Sequence, residues 1–410
     1  MLLSNDLILS LKEKYGTPLY VYSEAILRER CREMKSLLPN KNLRVNYSAK
    51  ANTNLELLKI IKDEGLDVDA MSPGEIYIEQ RAGFESKQIF FVSNNISAEE
   101  MRYAIDKDIL MSVDSISQLE MYGQLNPGGR VAVRFNPGKG AGHHEKVITA
   151  GSNTKFGVQK ELIPKVKAIL EKYDLELVGV NQHIGSLFLD WQVYIEGARS
   201  FLEIAKEFPN LMFIDIGGGF GVPYKPEENR LDLVRLGEEL DKVLTGFLDD
   251  YPNKEVIFKV EPGRYIMAEC GVLIGSVNAV KQSYDRTYVG TDIGFNVLAR
   301  PVMYDSYHDV KIVRKNVIDG TGEKDNTYET VTIVGNICES GDILARDRRI
   351  TMAGVGDALV IFNAGAYGYA MSSNYNCRLR PAEVLISLDG TDRLIRKRDT
   401  LESLIQNFLI

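Results

Sequence analysis

The stretch MFIDIGGG (212–219) is a short apolar run that stops on three glycines. A run of this length ending in turn residues reads as a β-strand. Working outward, LVGVNQHIG (177–185) lies upstream and VIFKVEPG (256–263) downstream, and each also closes on glycine. The same rhythm continues back through RVNYSAK (44–50), LDVDAMS (66–72), QIFFVSN (88–94), LMSVDS (110–115) and RVAVRFN (130–136). Segments with helical spacing separate these runs. Thr53 with Glu56, Ser97 with Glu100 and Ser115 with Gln118 match the capping box that starts a helix. Gly65 fits a left-handed cap after the first of these helices, whose buried stripe reads as Leu55, Leu58 and Ile61. Eight strand–helix units over about 220 residues match a (β/α)8 TIM-type barrel in count and length. The rival, an open doubly wound sheet, has fewer strands and a ligand loop near its first turn.

After Glu269 the rhythm changes. GVLIGSVNAV, TYVGTD, ETVTIVG, DALVIFNAG and AEVLISL follow one another without long helices, which reads as an antiparallel β domain. PLYVYS (18–23) is strand-like but precedes the barrel, so it is expected to cross over to that β domain. The predicted organisation is an α/β chain with a barrel over 24–270 and a C-terminal β domain over 271–410, joined by the N-terminal strand of 1–23. DGTGEKDNT (319–327) reads as a hairpin tip.

The chain has 410 residues, with 49 Lys and Arg against 57 Asp and Glu, a net charge of 49 − 57 = −8. That sign argues against nucleic acid or an anionic membrane as partner. Cys31, Cys270, Cys338 and Cys377 lie far apart, suggesting neither a disulfide framework nor a zinc site. The N-terminus lacks the pattern of a signal peptide, and no apolar run approaches the roughly 18 residues of a membrane span. A cytoplasmic location is expected.

Barrel active sites lie at the C-terminal ends of the strands. Unusual residues collect there: Lys50, Asp69, Asn136, His183 with Gly185 and Ser186, Gly217 to Gly219, and Glu261 with Gly263 and Arg264. Singly, each has an ordinary reading. A strand-end lysine is commonly a solvated side chain, a lone histidine a hydrogen-bonded structural one, and a glycine run a tight turn. Together they form one chemistry. Glycine-rich loops and helix N-termini bind phosphate, a lysine in a barrel mouth forms a Schiff base, and an acid opposite holds a protonated ring nitrogen. Pyridoxal phosphate requires this combination.

YSAKAN (47–52), HIGS (183–186), GGGFGVPY (217–224), EPGR (261–264), CESGD (338–342) and GAYGYAMSSNYN (365–376), in this order, resemble the motif series of the diaminopimelate decarboxylase family. The resemblance covers nearly the whole chain. It implies a fold-type III enzyme with an alanine-racemase-like barrel, pyridoxal 5′-phosphate as cofactor, and conversion of meso-2,6-diaminopimelate to L-lysine and carbon dioxide, the last step of lysine biosynthesis.

The resemblance also implies roles. Lys50 is similar to the family's Schiff-base lysine, and His183 to the imidazole stacked on the cofactor ring. Ser186, Gly218, Gly219, Gly263 and Arg264 resemble the phosphate cradle. Tyr367 resembles a tyrosine that reaches phosphate or substrate, and Asp69 matches a position near the lysine and histidine. Arg264, Arg300 and Tyr304 match a clamp on the distal carboxylate, and an arginine fork suits a carboxylate as lysine cannot. Glu339 resembles the acid that holds the distal ammonium, and Cys338 the proton donor. In this family CESGD enters the partner's site, so a homodimer with shared sites is implied. Glu261 bears on reaction type. A carboxylate about 3 Å from a pyridinium, at an effective dielectric near 20, favours the charged ring by about 5 kcal/mol before desolvation. Alanine racemase has an arginine there, so Glu261 favours decarboxylation.

His143 and His144 sit in the loop 138–157, which is long enough for a mobile lid. Adjacent histidines suggest metal, but no third ligand sits at ligand spacing, and none is expected. KIVRK (311–315) and RLIRKR (393–398) read as solvated strand edges, and His308 as support for the Arg300 clamp. Where many relatives have glutamine after HIGS, this chain has Leu187 and Phe188. Decarboxylases of ornithine, arginine or carboxynorspermidine are the alternative on this scaffold, but do not need Arg300 with Glu339. A non-catalytic partner-binding relative would have lost Lys50 or Cys338.

Overall fold

The computed structural model describes residues 3–39, 42–138, 155–314 and 327–409. His143, His144 and most of their loop lie outside these residues, as does all but the last residue of 319–327. The chain divides into two compact units. One comprises Arg28–Pro223 and Glu228–Ile266; the other comprises Met1–Leu27, Tyr224–Glu227 and Met267–Ile410.

In the first unit, among the described residues, eight parallel strands pair in sequence order and close on themselves. They are Leu43–Ser48, Asp67–Ala70, Ile89–Val92, Leu110–Val113, Arg130–Asn136, Glu176–Asn181, Phe213–Asp215 and Ile257–Val260. This is the expected barrel; the fifth strand matches its run, and the others are shorter than the apolar runs suggested. The ends of the runs leave the sheet for physical reasons. Ala49–Ala51 forms a 3₁₀ turn that carries Lys50 off the first strand. Gly217 and Gly219 take φ of +85° and +106°, which no strand accommodates.

Helix starts follow the sequence with two corrections. The helix Leu55–Asp63 is capped by Asn54, whose Oδ1 accepts the Glu56 N–H at 3.0 Å, rather than by Thr53. Asparagine is at least as good a cap as threonine. Leu55 is accordingly exposed, and Leu57, Leu58, Ile60 and Ile61 are buried. Ser97 and Glu100 form the full reciprocal box. At Ser115 only half of it forms: Ser115 Oγ accepts the Gln118 N–H, but the Gln118 amide donates to Ile96 O at 3.1 Å.

Phe90, Val92, Ala132, Val178 and Phe213 form one buried cluster of this unit, with the Phe90 and Phe213 rings edge to face at 5.3 Å. Side chains alternate along a strand. Asp215, two residues after Phe213, therefore shares its face one layer nearer the C-terminal rim, and Glu261 stands in the same relation to Lys259. The Lys259 ammonium lies over the Phe213 and Phe90 rings at 4.2 and 4.8 Å.

The second unit is built on the strand Gly271–Ser283. It pairs antiparallel with Leu19–Ser23, Arg286–Thr291 and Ala358–Ile361. Two pairings are parallel, Leu19–Ser23 with Ala382–Ile386 and Arg286–Thr291 with Tyr328–Val334, so the sheet is mixed. Strands far apart in sequence carry no hairpin to impose antiparallel pairing. Leu19 and Val21 join a core with Ile8 and Leu11 of the helix Asn5–Tyr15. On the opposite face Tyr20 donates to Val297 O at 2.7 Å and Tyr22 to Glu383 Oε1 at 2.6 Å. The basic run 393–398 is not a purely solvated edge. Arg396 pairs with the fully buried Glu383 and lies over the Tyr369 ring, and Arg398 donates to Pro18 O. No helix among the described residues is long and apolar enough to cross a membrane.

Candidate active site

Within the barrel unit, the rim brings together Lys50, Asp69, His183, Ser186, Gly218, Gly219, Glu261, Gly263 and Arg264. Asp69 is the next-to-last residue of the second strand and is fully buried. Its Oδ2 accepts from Ser48 Oγ at 3.0 Å and its Oδ1 from the Ala49 N–H at 3.2 Å. Asp69 thus holds the turn that presents Lys50. Burial, then the Glu261 charge, pushes the Asp69 carboxyl well above its ordinary range, while the Lys50 charge opposes them. The Lys50 charge also acts on Glu75, His183 and Glu261, so its ammonium faces this cluster.

His183 follows the sixth strand. Its Nδ1 accepts the Gly218 N–H over a long 3.4 Å, which leaves Nε2 to carry the proton. Burial, with the charges of Lys50 and Arg134, holds the imidazole well below its ordinary pKa. The ring is therefore neutral near pH 7 and suited to stacking on a flat heteroaromatic group.

The glycines here are required by space. A Cβ on Gly218 would stand 2.0 Å from Glu261 O, and one on Gly219 2.3 Å from the Phe188 ring. Phe188 also donates its N–H to Gly219 O and accepts from the Gly221 N–H, both at 2.9 Å. Phe188 thus ties the sixth-strand loop to the glycine loop. Arg264, 4% exposed, reaches Ser186 Oγ with Nη2 at 3.0 Å and Nε at 3.3 Å. In the barrel unit it stands with the proposed cradle.

Glu261 is 6% exposed, and its Oε1 is a buried acceptor with no hydrogen-bond donor among the described residues. Burial raises its pKa, and the charges of Lys50, then Arg134, oppose the rise. A protonated ring nitrogen would satisfy that oxygen. Lysine, neutral imidazole, glycine loop, Arg–Ser pair and orphan carboxylate together fit pyridoxal 5′-phosphate.

Sequence reasoning missed several charged residues here. Arg134 is 9% exposed, and its charge acts on Glu261, Asp114, Asp215 and Asp69. Asp215 is fully buried, and Glu79, on the helix Pro73–Ala82, is fully buried with neither carboxyl oxygen hydrogen-bonded among the described residues. The strand phase carried a signal for Arg134 and Asp215: a lone charge inside a strand buried on both faces has only the barrel interior in which to find partners. Nothing in the sequence marked Glu79.

The β unit holds the remaining candidates. Arg300 is 2% exposed, donates to Ser306 Oγ at 3.1 Å, and lies between the Tyr224 and Tyr367 rings at 5.5 and 5.7 Å. Tyr367 has a left-handed φ of +58°, and Tyr304 is half-buried. His308 Nδ1 donates to Phe362 O at 2.9 Å, and the ring meets Tyr224 edge to face. Cys338 and Glu339 are both exposed. The Cys338 N–H donates to Asn376 Oδ1 at 2.9 Å, and Tyr375 OH donates to Glu339 Oε1 at 2.6 Å. Tyr375 and Asn376 lie in the quoted motif but had been given no role.

Residues 24–268 match the family described as pyridoxal-dependent decarboxylase, pyridoxal binding domain. The chain is 40% identical to a diaminopimelate decarboxylase of Methanothermobacter thermautotrophicus, over 97% of this chain and 92% of that one. It is 34% identical to that of Escherichia coli strain K12, over 98% and 96%. Among solved structures, diaminopimelate decarboxylase from Helicobacter pylori complexed with L-lysine superposes with a TM-score of 0.88 at 29% identity, covering 97% of this chain and 98% of that one. A second diaminopimelate decarboxylase crystal structure gives 0.89 at 31%, covering 99% and 97%. The chain belongs to the diaminopimelate decarboxylase family of pyridoxal-dependent decarboxylases.

Proposed function

We propose that this chain removes one carboxyl group from meso-2,6-diaminopimelate, giving L-lysine and carbon dioxide, with the residue roles that follow. The observation that carries the reading is Glu261: a buried carboxylate with an orphan oxygen, facing the Lys50 charge on a rim lined by glycine backbone. Pyridoxal 5′-phosphate supplies an electron sink for the pair left when carbon dioxide departs. Glu261 holds the proton at the ring nitrogen and so maintains that sink. Lys50 would hold the cofactor through its Nζ, an amine that can also carry protons. Neutral His183 would stack on its ring. Gly218, Gly219 and Gly263 with Ser186 and Arg264 hold the phosphate, and Asp69 fixes the Lys50 turn. Tyr367 reaches phosphate or substrate.

The β unit supplies substrate recognition. Arg300 binds the distal carboxylate with Tyr304, and its guanidinium is held ready by Ser306 and two tyrosine rings. Arg264 also serves the clamp. Glu339 holds the distal ammonium, and Cys338 donates the proton that replaces the lost carboxyl. The exposure of Cys338 and Glu339 in the single chain supports a homodimer whose partner covers them. The lysine complexes of the Helicobacter pylori and Methanocaldococcus jannaschii enzymes support a lysine-like product. A barrel for cofactor and a β domain for substrate is the proposed division of labour. Four free thiols, two of them buried, favour a reducing cytoplasm.

Glu261→Gln tests the reading. Glutamine carries no negative charge to hold a proton at the ring nitrogen, so decarboxylation is expected to fall at least about a hundredfold with cofactor still bound. Full activity in that variant would refute it.

A further inference from the structure

The residue behind Glu261 has been assigned no role. Asp215 ends the seventh barrel strand and is fully buried. Its Oδ1 accepts the Gly217 N–H at 2.9 Å, and its Oδ2 receives no N–H or hydroxyl from the described residues. Asp215 pairs in register with Lys259, and the Glu261 N–H donates to Gly217 O at 3.1 Å, so the two carboxyls stand on adjacent strand ends on the same interior face, and each acts on the other. Two ionised carboxylates are acceptors only, so a contact between them is a hydrogen bond only when one of them carries a proton. Like charges at such range cannot both persist in a buried site.

The surroundings decide which of the two holds it. Glu261 faces three cations: Lys50 on the first-strand turn, Arg134 on the fifth strand and Lys259 on its own strand. Asp215 faces Lys259, which acts on it more than on Glu261, whereas Lys50 and Arg134 act chiefly on Glu261. The Lys259 ammonium is directed over two phenyl rings. Asp69 from the second strand adds negative charge toward Glu261. Tyr194, from the helix Trp191–Ala205, faces both acids, but its hydroxyl donates to Gly217 O at 2.9 Å. Charge is therefore best placed on Glu261 and the proton on Asp215. Burial and the Glu261 charge push Asp215 well above the carboxylate range, in the same sense.

We propose that Asp215 is a permanently protonated positioning residue whose O–H donates to Glu261, making Glu261 a weaker base and leaving the shared proton on the cofactor's ring nitrogen. This rests on the assignment of Glu261 to that nitrogen. Without the donor, Glu261 becomes the stronger base and draws the proton off the ring. A charge-assisted hydrogen bond of this kind shifts basicity by about one to two pKa units.

The test is the ¹⁵N chemical shift of ring-labelled pyridoxal phosphate in the holoenzyme, from about pH 6 to about pH 9. Wild type is expected to show a protonated ring nitrogen throughout. Asp215→Leu should move the shift toward the unprotonated value, with kcat about tenfold lower or more and KM little changed. Asp215→Asn, whose amide N–H still donates, should restore both. A wild-type shift in cofactor-loaded Asp215→Leu would overturn the proposal. Glu261→Gln is the control: an unchanged ring shift there would instead defeat the Glu261 assignment itself. Should the leucine variant fail to fold, infrared spectra of the Asp215→Asn holoenzyme decide. Loss of a protonated-carboxyl C=O band supports the proposal, and an unchanged set of such bands overturns it.

Discussion

Arg264 on the eighth-strand rim donates two hydrogen bonds to Ser186 on the sixth-strand loop, at 3.0 and 3.3 Å. The pair joins two loops of the proposed phosphate cradle and fixes the direction of a nearly buried guanidinium. Ser186→Ala removes the acceptor and one cradle hydroxyl. Cofactor affinity should fall about tenfold, the size of one charge-assisted hydrogen bond. Equilibrium titration of cofactor-free protein measures it, and unchanged affinity would contradict the cradle role.

Glu79 predicts a pH dependence of stability. Burial, then the charges of Asp69 and Glu75, raises its carboxyl from the ordinary 4.5 to about 9. Between those values the folded protein holds a proton that the unfolded chain releases, so stability falls as pH rises. The contribution is fully present below about 4.5 and is lost by about 9. Glu79→Gln cannot ionise, so it should match wild type near pH 5 and exceed it by a few kcal/mol near pH 8. Denaturant unfolding at both pH values checks this. Parallel wild-type and variant curves would show that Glu79 is ionised in the fold.

Tyr375 fixes Glu339 through a 2.6 Å hydrogen bond. Tyr375→Phe leaves the carboxylate in place but loosens it. KM for diaminopimelate should rise about fivefold, with cofactor affinity unchanged, for a bond worth about 1 kcal/mol. An equal loss in cofactor binding would remove Glu339 from the substrate side.

Shared sites make a mixing prediction. Lys50→Ala and Cys338→Ala subunits are each expected to be inactive alone. Unfolded and refolded together in equal amounts, half of the dimers are mixed and each mixed dimer has one intact site. About a quarter of wild-type activity should return. Absence of recovery from correctly assembled dimers would mean that each site is built from one chain.

Most of the architecture was legible because strand rhythm and glycine stops are local signals. Lys50, His183 and Glu261 fall at strand ends, where a barrel places its chemistry. What stayed hidden depended on distance. Asn54 displaced Thr53 as a cap because the two compete one residue apart and only the folded turn selects one. Arg396 read as solvated until the fold brought it to Glu383 from a neighbouring strand. Asp215 lies within the stretch that decided the fold, yet its meaning comes from Glu261, 46 residues later by 261 − 215. Glu79 sits on an otherwise ordinary helix whose burial no pattern announces.

The most direct measurement is carbon dioxide release by purified holoenzyme given meso-diaminopimelate, ornithine, arginine or lysine separately, with amino acid products identified. Release from diaminopimelate alone, with one L-lysine formed per carbon dioxide, is the predicted result. Release from ornithine or arginine, with diaminopimelate untouched, would contradict the roles given to Arg300 and Glu339 and the function assigned to this chain.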